Sequence, residues 1–188
     1  MTSFSGESFC FRTVKTPLGP LRLEATGRGL RRVLFPGEGW ERRAGNSARR
    51  DPKDPAWAVA SRHLTEATRQ LEEYFRGSLK EFTLTLDLRG SDHQIRIWKI
   101  LLRIPYGRTL TYGDIARGMG NRRSARAVGR GCATNPLPVV IPCHRVLSGT
   151  GSLQGFGGGL WRKRALLELE QGQAALPLRG ERSEGPGT

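Results

Sequence analysis

Hydrophobic and polar residues alternate in short runs near the start of the chain. Segments 10–14, 21–26 and 30–35 (CFRTV, LRLEAT and LRRVLF) alternate in part, and the turn sequences TPLGP and TGRG separate them. Such runs between Gly and Pro turns predict three short strands. Residues 36–55 are rich in Gly, Pro, Arg and Asp and poor in apolar residues, which predicts a solvated loop.

The spacing then changes to that of a helix. Residues 56–76 carry apolar side chains at i, i+3 and i+4 and are followed by Gly77, which predicts an amphipathic helix that ends there. Residues 81–88 (EFTLTLDL) alternate again and predict a further strand. Strands, a long helix and another strand indicate a small α/β domain over residues 1–90.

The pattern beyond residue 90 is mainly helical. Ser91 and Thr111 are each followed by helical spacing, and both are side chains that cap helices. Residues 121–132 predict a third helix that carries several arginines. Two short helices with a Gly-containing turn are typical of a helix-turn-helix, although an ordinary helix pair with a solvated Arg face fits the pattern equally well.

The last part of the chain combines irregular segments with one helix. Residues 134–147 contain three prolines, which exclude a regular helix. Residues 148–159 are Gly-rich and predict a loop, and residues 161–170 predict a closing helix. Residues 172–188 are polar and rich in Gly and Pro, which predicts a flexible tail after a second domain over 91–171.

Charge and composition narrow the class of partner. The 188 residues carry a formal net charge of +14, and residues 91–170 alone hold thirteen Lys or Arg against four Asp or Glu, a net +9. So basic a segment favours a polyanionic partner, above all nucleic acid. No apolar run is long enough for a membrane helix, and residues 1–10 lack the pattern of a signal peptide. We therefore expect a cytoplasmic, DNA-associated protein.

The three cysteines, Cys10, Cys132 and Cys143, do not suggest a disulfide framework or a zinc site. Their number is odd and no CxxC pair occurs. Cys143 is the one with adjacent chemistry, because His144 and Arg145 follow it directly. A thiol beside potential cations can have a lowered pKa, and His144 is a candidate base, directly or through a water. Asp114 and Glu170 are candidate carboxylates to orient that histidine, and the sequence does not rank them.

Four stretches, TYGDIA, SARAVGRG, NPLPVVIPCHRV and GFGGGLWRKRALLELE, carry a family resemblance. In this order they make residues 92–171 resemble the O6-methylguanine-DNA methyltransferase family. The resemblance implies a ribonuclease H-like α/β N-terminal domain with a small mixed sheet and a helix, followed by a mainly α, winged helix-turn-helix-like domain. It implies single-turnover repair of O6-alkylguanine in double-stranded DNA, with O4-alkylthymine as a further possible substrate. A monomer without cofactor or metal is expected, and cooperative binding to DNA is left open.

The resemblance also implies roles for particular residues, several of them in the chemistry of transfer. Cys143 would be the nucleophile that accepts the alkyl group, and His144 the base that acts through a water. Glu170 would orient His144. Tyr112 would contact and help protonate the leaving base, and Asn135 would support the turn before the active-site segment.

Other residues would contact the DNA. Arg126 would be the finger that enters the base stack when the damaged base leaves it. The remaining expected contacts are Val146, Phe156, Gly157, Gly158, Arg123 and Arg130. Gly157 stands where the family often has a hydroxyl residue, so a backbone N–H is available there but a side-chain donor is not.

Three other functions compete with repair. A lesion sensor that shares this domain would lack the acceptor cysteine, and Cys143 is present. A winged-helix regulator would bind one fixed sequence, whereas repair requires little sequence preference. A cysteine hydrolase requires an oxyanion hole, and nothing in the sequence points to an acyl substrate.

Overall fold

The computed structural model describes residues 9–37, 55–120 and 124–172. Its first region, described over residues 9–37 and 55–90, contains an antiparallel sheet of three strands. The strands lie in the order β1 (Cys10–Val14), β2 (Leu21–Thr26) and β3 (Gly29–Leu34). These are the three strands that the alternating segments predict. Most of the predicted loop 36–55 and nearly all of the predicted tail 172–188 lie outside the described residues.

A long helix packs on this sheet. Helix α1 (Pro55–Phe75) contacts β2 most extensively, and its apolar stripe is buried against the strands. Leu64, Leu71 and Tyr74 belong to that stripe. The helix ends before Gly77, whose φ of +77° favours glycine. The predicted helix and its stop are confirmed.

The strand predicted for residues 81–88 is wrong. The segment is extended, but it joins the sheet through a single parallel bridge between Leu30 and Leu86. The Leu30 N–H donates to the Thr85 carbonyl (2.8 Å) and the Asp87 N–H donates to the Leu30 carbonyl (2.9 Å). Before that bridge, the Thr83 N–H donates to the side chain of Gln70 on α1 (2.9 Å). The backbone hydrogen bonds of this segment are therefore divided between the sheet and the helix, and a regular β-ladder does not form.

The second region, described over residues 91–120 and 124–172, is built mainly from helices. These are α2 (Asp92–Leu101), α3 (Tyr112–Gly118), α4 (Ala125–Ala133) and α5 (Leu160–Glu170). Ser91 with Gln94 and Thr111 with Asp114 form capping boxes at the starts of α2 and α3, which confirms both predicted caps. Helix α4 begins later than the predicted residue 121, and residues 121–123 lie outside the described part of the chain.

Helices α2 and α4 approach closely at Gly131. A Cβ built there would lie 2.7 Å from the Ile97 side chain, so only glycine fits without rearrangement. The Trp98 indole N–H donates to the Gly131 carbonyl (2.9 Å). This contact fixes the position of α4 against α2. The chain that follows α4 leads to Cys143.

A second, smaller sheet lies beside these helices. Strands β4 (Leu110–Thr111) and β5 (Val146–Leu147) pair in parallel, and a 3-10 turn (Cys143–Arg145) immediately precedes β5. In the described residues this sheet is separate from β1–β3. The domain boundary near residue 90 stays a prediction. Within the described ranges, no helix has the length and apolarity needed to cross a membrane.

Candidate active site

Cys143 lies at the start of the 3-10 turn and is nearly buried, with 6% of its surface exposed. Its backbone N–H donates to the Ile141 carbonyl (2.8 Å), which closes a tight turn before it. The Asn135 side-chain amide donates to the Cys143 Sγ (3.1 Å). An amide donor at this distance stabilises negative charge on sulfur, so the geometry suits a thiolate.

Asn135 also organises the turn that carries the cysteine. Its Nδ2 donates to the Ile141 carbonyl (2.9 Å) and its Oδ1 accepts from the Leu137 N–H (3.0 Å). Between them Val139 has a φ of +76°, a conformation that is costly for a β-branched residue. The Asn135 side chain therefore holds a strained turn and contacts the sulfur at the same time.

His144 and Glu170 form a buried pair next to the cysteine. His144 Nε2 lies 2.9 Å from Glu170 Oε1, and both side chains are fully buried. Burial lowers the pKa of His144 and outweighs the opposing effect of Glu170. Burial raises the pKa of Glu170, but hydrogen bonds from His144 and Arg145 outweigh it and bring the pKa to about 2. A neutral histidine beside a carboxylate carries its proton on Nε2, which leaves a lone pair on Nδ1.

Nδ1 of His144 is buried and hydrogen-bonds to no group in the described residues. A buried lone pair without a donor is costly unless it has a function or a water partner. This nitrogen is the atom of the pair that can accept a proton.

Glu170 is also bound by several other groups. Arg145 donates to both carboxylate oxygens, at 2.8 to 3.1 Å, and the Gly107 N–H donates to Oε2 (3.0 Å). The Tyr74 hydroxyl donates to Oε1 (2.7 Å). Asp114, the other candidate carboxylate, instead caps α3 through Thr111 and pairs with Arg117. The structure therefore places Glu170, and not Asp114, at the histidine.

The cations near Cys143 differ from the expectation. The Arg145 guanidinium binds Glu170 and the Ile104 carbonyl, so its charge is already compensated. Lys163 on α5 is completely buried, and its Nζ donates to the carbonyls of Val146 and Gln154 (2.7 Å each). Burial lowers the pKa of Lys163, while its interactions with Cys143 and Cys132 act in the opposite direction.

Tyr112 contacts the Gly-rich loop and interacts electrostatically with the cysteine. The Tyr112 hydroxyl lies 3.4 Å from the Gln154 carbonyl, and burial together with Cys132 and Cys143 raises the pKa of Tyr112 to about 12. A phenol with so high a pKa keeps its proton at neutral pH and can donate it in a hydrogen bond. Val146 is fully buried, Phe156 is half-buried and Gly157 is exposed.

Glycine is required at position 158 by packing, which the sequence did not suggest. A Cβ built on Gly158 would lie 2.6 Å from the Phe35 ring and 3.0 Å from Phe156. The Phe35 and Phe156 rings meet edge to face at 5.8 Å. Gly158 is therefore required where the loop packs on the first region, whatever its role toward a substrate.

The arginines predicted to contact DNA are only partly described. Arg126 and Arg130 lie on α4 and are exposed. Arg123 lies outside the described residues. Cys10 and Cys132 are buried, and burial raises the pKa of the Cys132 thiol to about 12, so this thiol stays protonated at neutral pH.

Sequence reasoning missed three residues that contact the site: Tyr74, Gly107 and Lys163. Tyr74 belongs to the apolar stripe of α1 and was indistinguishable from a core aromatic. Gly107 comes shortly after a proline at the end of a helical pattern, and no local feature of the sequence marks its backbone N–H as a donor to a carboxylate. Lys163 did carry a signal, because it shares the buried face of α5 with Leu166 and Leu169, where a charged residue is unusual.

Comparison with known proteins supports both regions. Residues 92–172 match the DNA binding domain of 6-O-methylguanine DNA methyltransferase, and residues 9–88 match its ribonuclease-like domain. A methylated-DNA–protein-cysteine methyltransferase of Mycobacterium bovis is 43% identical over 168 residues, which cover 89% of this chain and 96% of the relative.

Solved structures agree. The O6-methylguanine methyltransferase of Mycobacterium tuberculosis has a TM-score of 0.73 at 42% identity, with 88% of this chain and 94% of that chain covered. Mycobacterium tuberculosis OGT in complex with DNA gives a TM-score of 0.72 at 43% identity, with 87% and 94% covered. The expected fold class, a ribonuclease-like α/β region followed by a mainly helical region, is confirmed. The chain belongs to the O6-methylguanine DNA methyltransferase family.

Proposed function

We propose that this protein repairs O6-alkylguanine in double-stranded DNA by transferring the alkyl group to Cys143, once per molecule. The observation that carries the proposal is the contact of Asn135 Nδ2 with Cys143 Sγ (3.1 Å) beside the buried His144–Glu170 pair (2.9 Å). A sulfur with an amide donor and a neighbouring neutral histidine is arranged for attack as a thiolate.

Activation begins with the histidine. Glu170 is ionised and accepts a hydrogen bond from His144 Nε2–H, so Nδ1 is free to take the thiol proton through a bound water. Asn135 then stabilises the resulting charge on the sulfur. Lys163 supplies a buried positive charge that interacts with Cys143.

The transfer itself is a displacement at carbon. The thiolate sulfur forms a bond to the alkyl carbon while the bond from that carbon to O6 breaks, and its electron pair stays with the guanine. The guanine leaves as an anion that is stabilised by a hydrogen bond from Tyr112 and takes up a proton from water, while the thiol proton taken by His144 returns to solvent. The backbones of Val146 and Gly157 contact the base. The thioether product has no easy route to hydrolysis, so the protein is consumed.

The substrate must leave the duplex to reach Cys143. Extrusion of a paired nucleotide costs on the order of a few kcal/mol and less for a damaged base. Arg126 fills the gap in the stack, and Arg123, Arg130 and Phe156 contribute further contacts. The net charge of +9 over residues 91–170 supports neutralisation of phosphates.

Intact-protein mass spectrometry after incubation with excess O6-methylguanine duplex tests this function. We expect one added methyl mass per molecule, located on Cys143 by peptide mapping, and no further increase with time. Cys143→Ser should lose transfer but keep binding to the damaged duplex, because a neutral hydroxyl is a far poorer nucleophile than a thiolate. An O4-methylthymine duplex in parallel tests the second substrate.

Cys132→Ser is the matched control and should accept a methyl group like the unchanged protein. A methyl group on Cys10 or Cys132, or several turnovers per molecule, would show that Cys143 is not a single-use acceptor.

A further inference from the structure

Tyr74 links the first region to the chemistry of the second. It lies in the last turn of α1, 96 residues before Glu170 in sequence, and its hydroxyl donates to Glu170 Oε1 (2.7 Å). The side chain is completely buried. The pKa of Tyr74 lies well above its usual value, first because the side chain is buried and second because Glu170 is negatively charged. The hydroxyl therefore keeps its proton and acts as a donor.

The direction of this hydroxyl is fixed by packing. The Tyr74 ring contacts the rings of Phe75 (5.4 Å between centroids), Phe82 (5.2 Å) and Tyr106 (6.0 Å). With aromatic neighbours on several sides, the ring has little freedom to change rotamer. The hydroxyl is thus a preorganised donor that is anchored in the core of the first region.

The oxygen that Tyr74 binds is the one that His144 uses. Glu170 Oε1 accepts from Tyr74, from His144 Nε2 (2.9 Å) and from Arg145 Nη2 (2.8 Å). Oε2 accepts from the Gly107 N–H, and Arg145 Nε donates to both oxygens. Tyr74 therefore helps to define the position of the oxygen that His144 binds.

We propose that Tyr74 is a positioning residue for alkyl transfer, because it fixes Glu170 Oε1 opposite His144 and so orients the base that serves Cys143. This inference rests on the function proposed above. In it, the first region is more than a scaffold, since one of its side chains completes the hydrogen-bond system of the active site.

The matched pair of variants is Tyr74→Phe and Tyr106→Phe. Both remove one hydroxyl and keep the ring, and the two rings pack against each other. The Tyr106 hydroxyl donates to the Leu169 carbonyl (3.3 Å) and not to the Glu170 carboxylate. Tyr106→Phe therefore controls for the loss of a partly buried tyrosine hydroxyl that packs beside Tyr74.

Two quantities are measured on the full-length proteins. The first is the first-order rate constant of methyl transfer at saturating O6-methylguanine duplex, with the dissociation constant of the duplex determined separately. The second is the proton resonance of His144 Nε2–H by NMR with ¹⁵N-labelled histidine. A purely structural role for Tyr74 would not move this resonance.

We expect Tyr74→Phe to lower the rate constant about tenfold, the scale of one hydrogen bond to a charged group, without weakening DNA binding. The His144 resonance should move upfield, because Glu170 Oε1 is no longer held opposite His144 and their hydrogen bond weakens. Tyr106→Phe should leave both quantities unchanged. Should Tyr74→Phe fail to fold, 3-fluorotyrosine at position 74 keeps the ring and strengthens the donor that holds Oε1, and it should move the resonance downfield.

The outcomes separate the two proposals. An unmoved resonance, or an unchanged transfer rate, overturns the role of Tyr74 while transfer to Cys143 in the unchanged protein still stands. Equal effects of Tyr74→Phe and Tyr106→Phe also overturn it. Failure of the unchanged protein to methylate Cys143 instead overturns the proposed function itself.

Discussion

Each region of the molecule buries a carboxylate that is held by arginine, and the two sites differ in where their partners come from. Asp87 in the first region binds Arg89 and Thr26 (2.8 Å each), both from the same region. Glu170 in the second region binds groups from both regions, among them Tyr74, Gly107 and His144. A carboxylate whose partners lie in one region holds only nearby segments together. A carboxylate whose partners come from both regions fixes the relative positions of several elements.

The same physical balance acts on both carboxylates. Burial raises the pKa of Asp87, yet hydrogen bonds from Arg89 and Thr26 outweigh it and leave the pKa below its usual value. For Glu170 the donors are His144 and Arg145. Of these two, only Glu170 hydrogen-bonds to a histidine, and the other ring nitrogen of that histidine, Nδ1, binds no group in the described residues. A lowered carboxylate pKa alone therefore does not distinguish a structural site from a reactive one.

The largest expected effect is that of Glu170→Gln against Asp87→Asn. Glu170→Gln leaves the buried Arg145 without its counter-charge, which should lower the free energy of unfolding by about 3–5 kcal/mol. Asp87→Asn should cost less, about 1–2 kcal/mol, because Arg89 is nearer to solvent and the amide can keep one hydrogen bond. Urea unfolding of the two variants measures both. Equal losses would remove the distinction between the two sites.

The loss of stability in Glu170→Gln should depend on pH. The pKa of Glu170 is lowered to about 2, so its contribution to stability is complete above the pKa of the unfolded chain, about 4.3. It is lost as the pH falls toward 2. The gap in unfolding free energy between the unchanged protein and Glu170→Gln should therefore shrink over this interval. Urea unfolding at a series of pH values checks this, and a gap that stays constant contradicts it.

His144 adds a second window with the same sign. Its pKa is lowered, mainly by burial, so the folded state binds its proton less readily than the unfolded chain. Stability therefore falls as the pH drops below the usual value near 6.5. In the same series of measurements, this loss precedes the one that belongs to Glu170.

The contact between the regions should show an intermediate effect in Gly158→Ala. The added methyl group would lie 2.6 Å from the Phe35 ring, so one side must shift, at a cost of about 1–3 kcal/mol. Gly149→Ala, in the same Gly-rich segment, meets no atom within 4 Å and is the control. Thermal unfolding of both variants compares them. A neutral Gly158→Ala would mean that the loop does not pack on the first region as described.

The smallest expected effect concerns Arg126 on the exposed face of α4. Arg126→Ala should slow transfer from a duplex roughly tenfold more than transfer from free O6-methylguanine base, because only the duplex has a gap to fill. Arg164→Ala removes an exposed positive charge from α5 and should not discriminate between the two substrates. Rate constants with both substrates measure this. Equal losses for Arg126→Ala would contradict the finger role.

Sequence periodicity predicted elements better than it predicted pairing. The strands β1–β3, the helix α1 and the caps at Ser91 and Thr111 follow from local spacing and local hydrogen bonds. The alternation in residues 81–88 was misleading, because it reports burial of one face and not the partner of the backbone. The Thr83 N–H donates to the side chain of Gln70 on α1 instead of to a neighbouring strand. A local sequence pattern contains no information about a hydrogen-bond partner on another element.

The sequence by itself determined the family and the candidate nucleophile, since the motif around Cys143 is contiguous and its chemistry lies in adjacent residues. The tertiary structure decided which groups meet there. It selected Glu170 over Asp114, engaged Arg145 with that carboxylate, buried Lys163 against two carbonyls and brought Tyr74 to Oε1. The physical reason is that orientation and burial arise between elements far apart in the chain, and no local pattern encodes those distances.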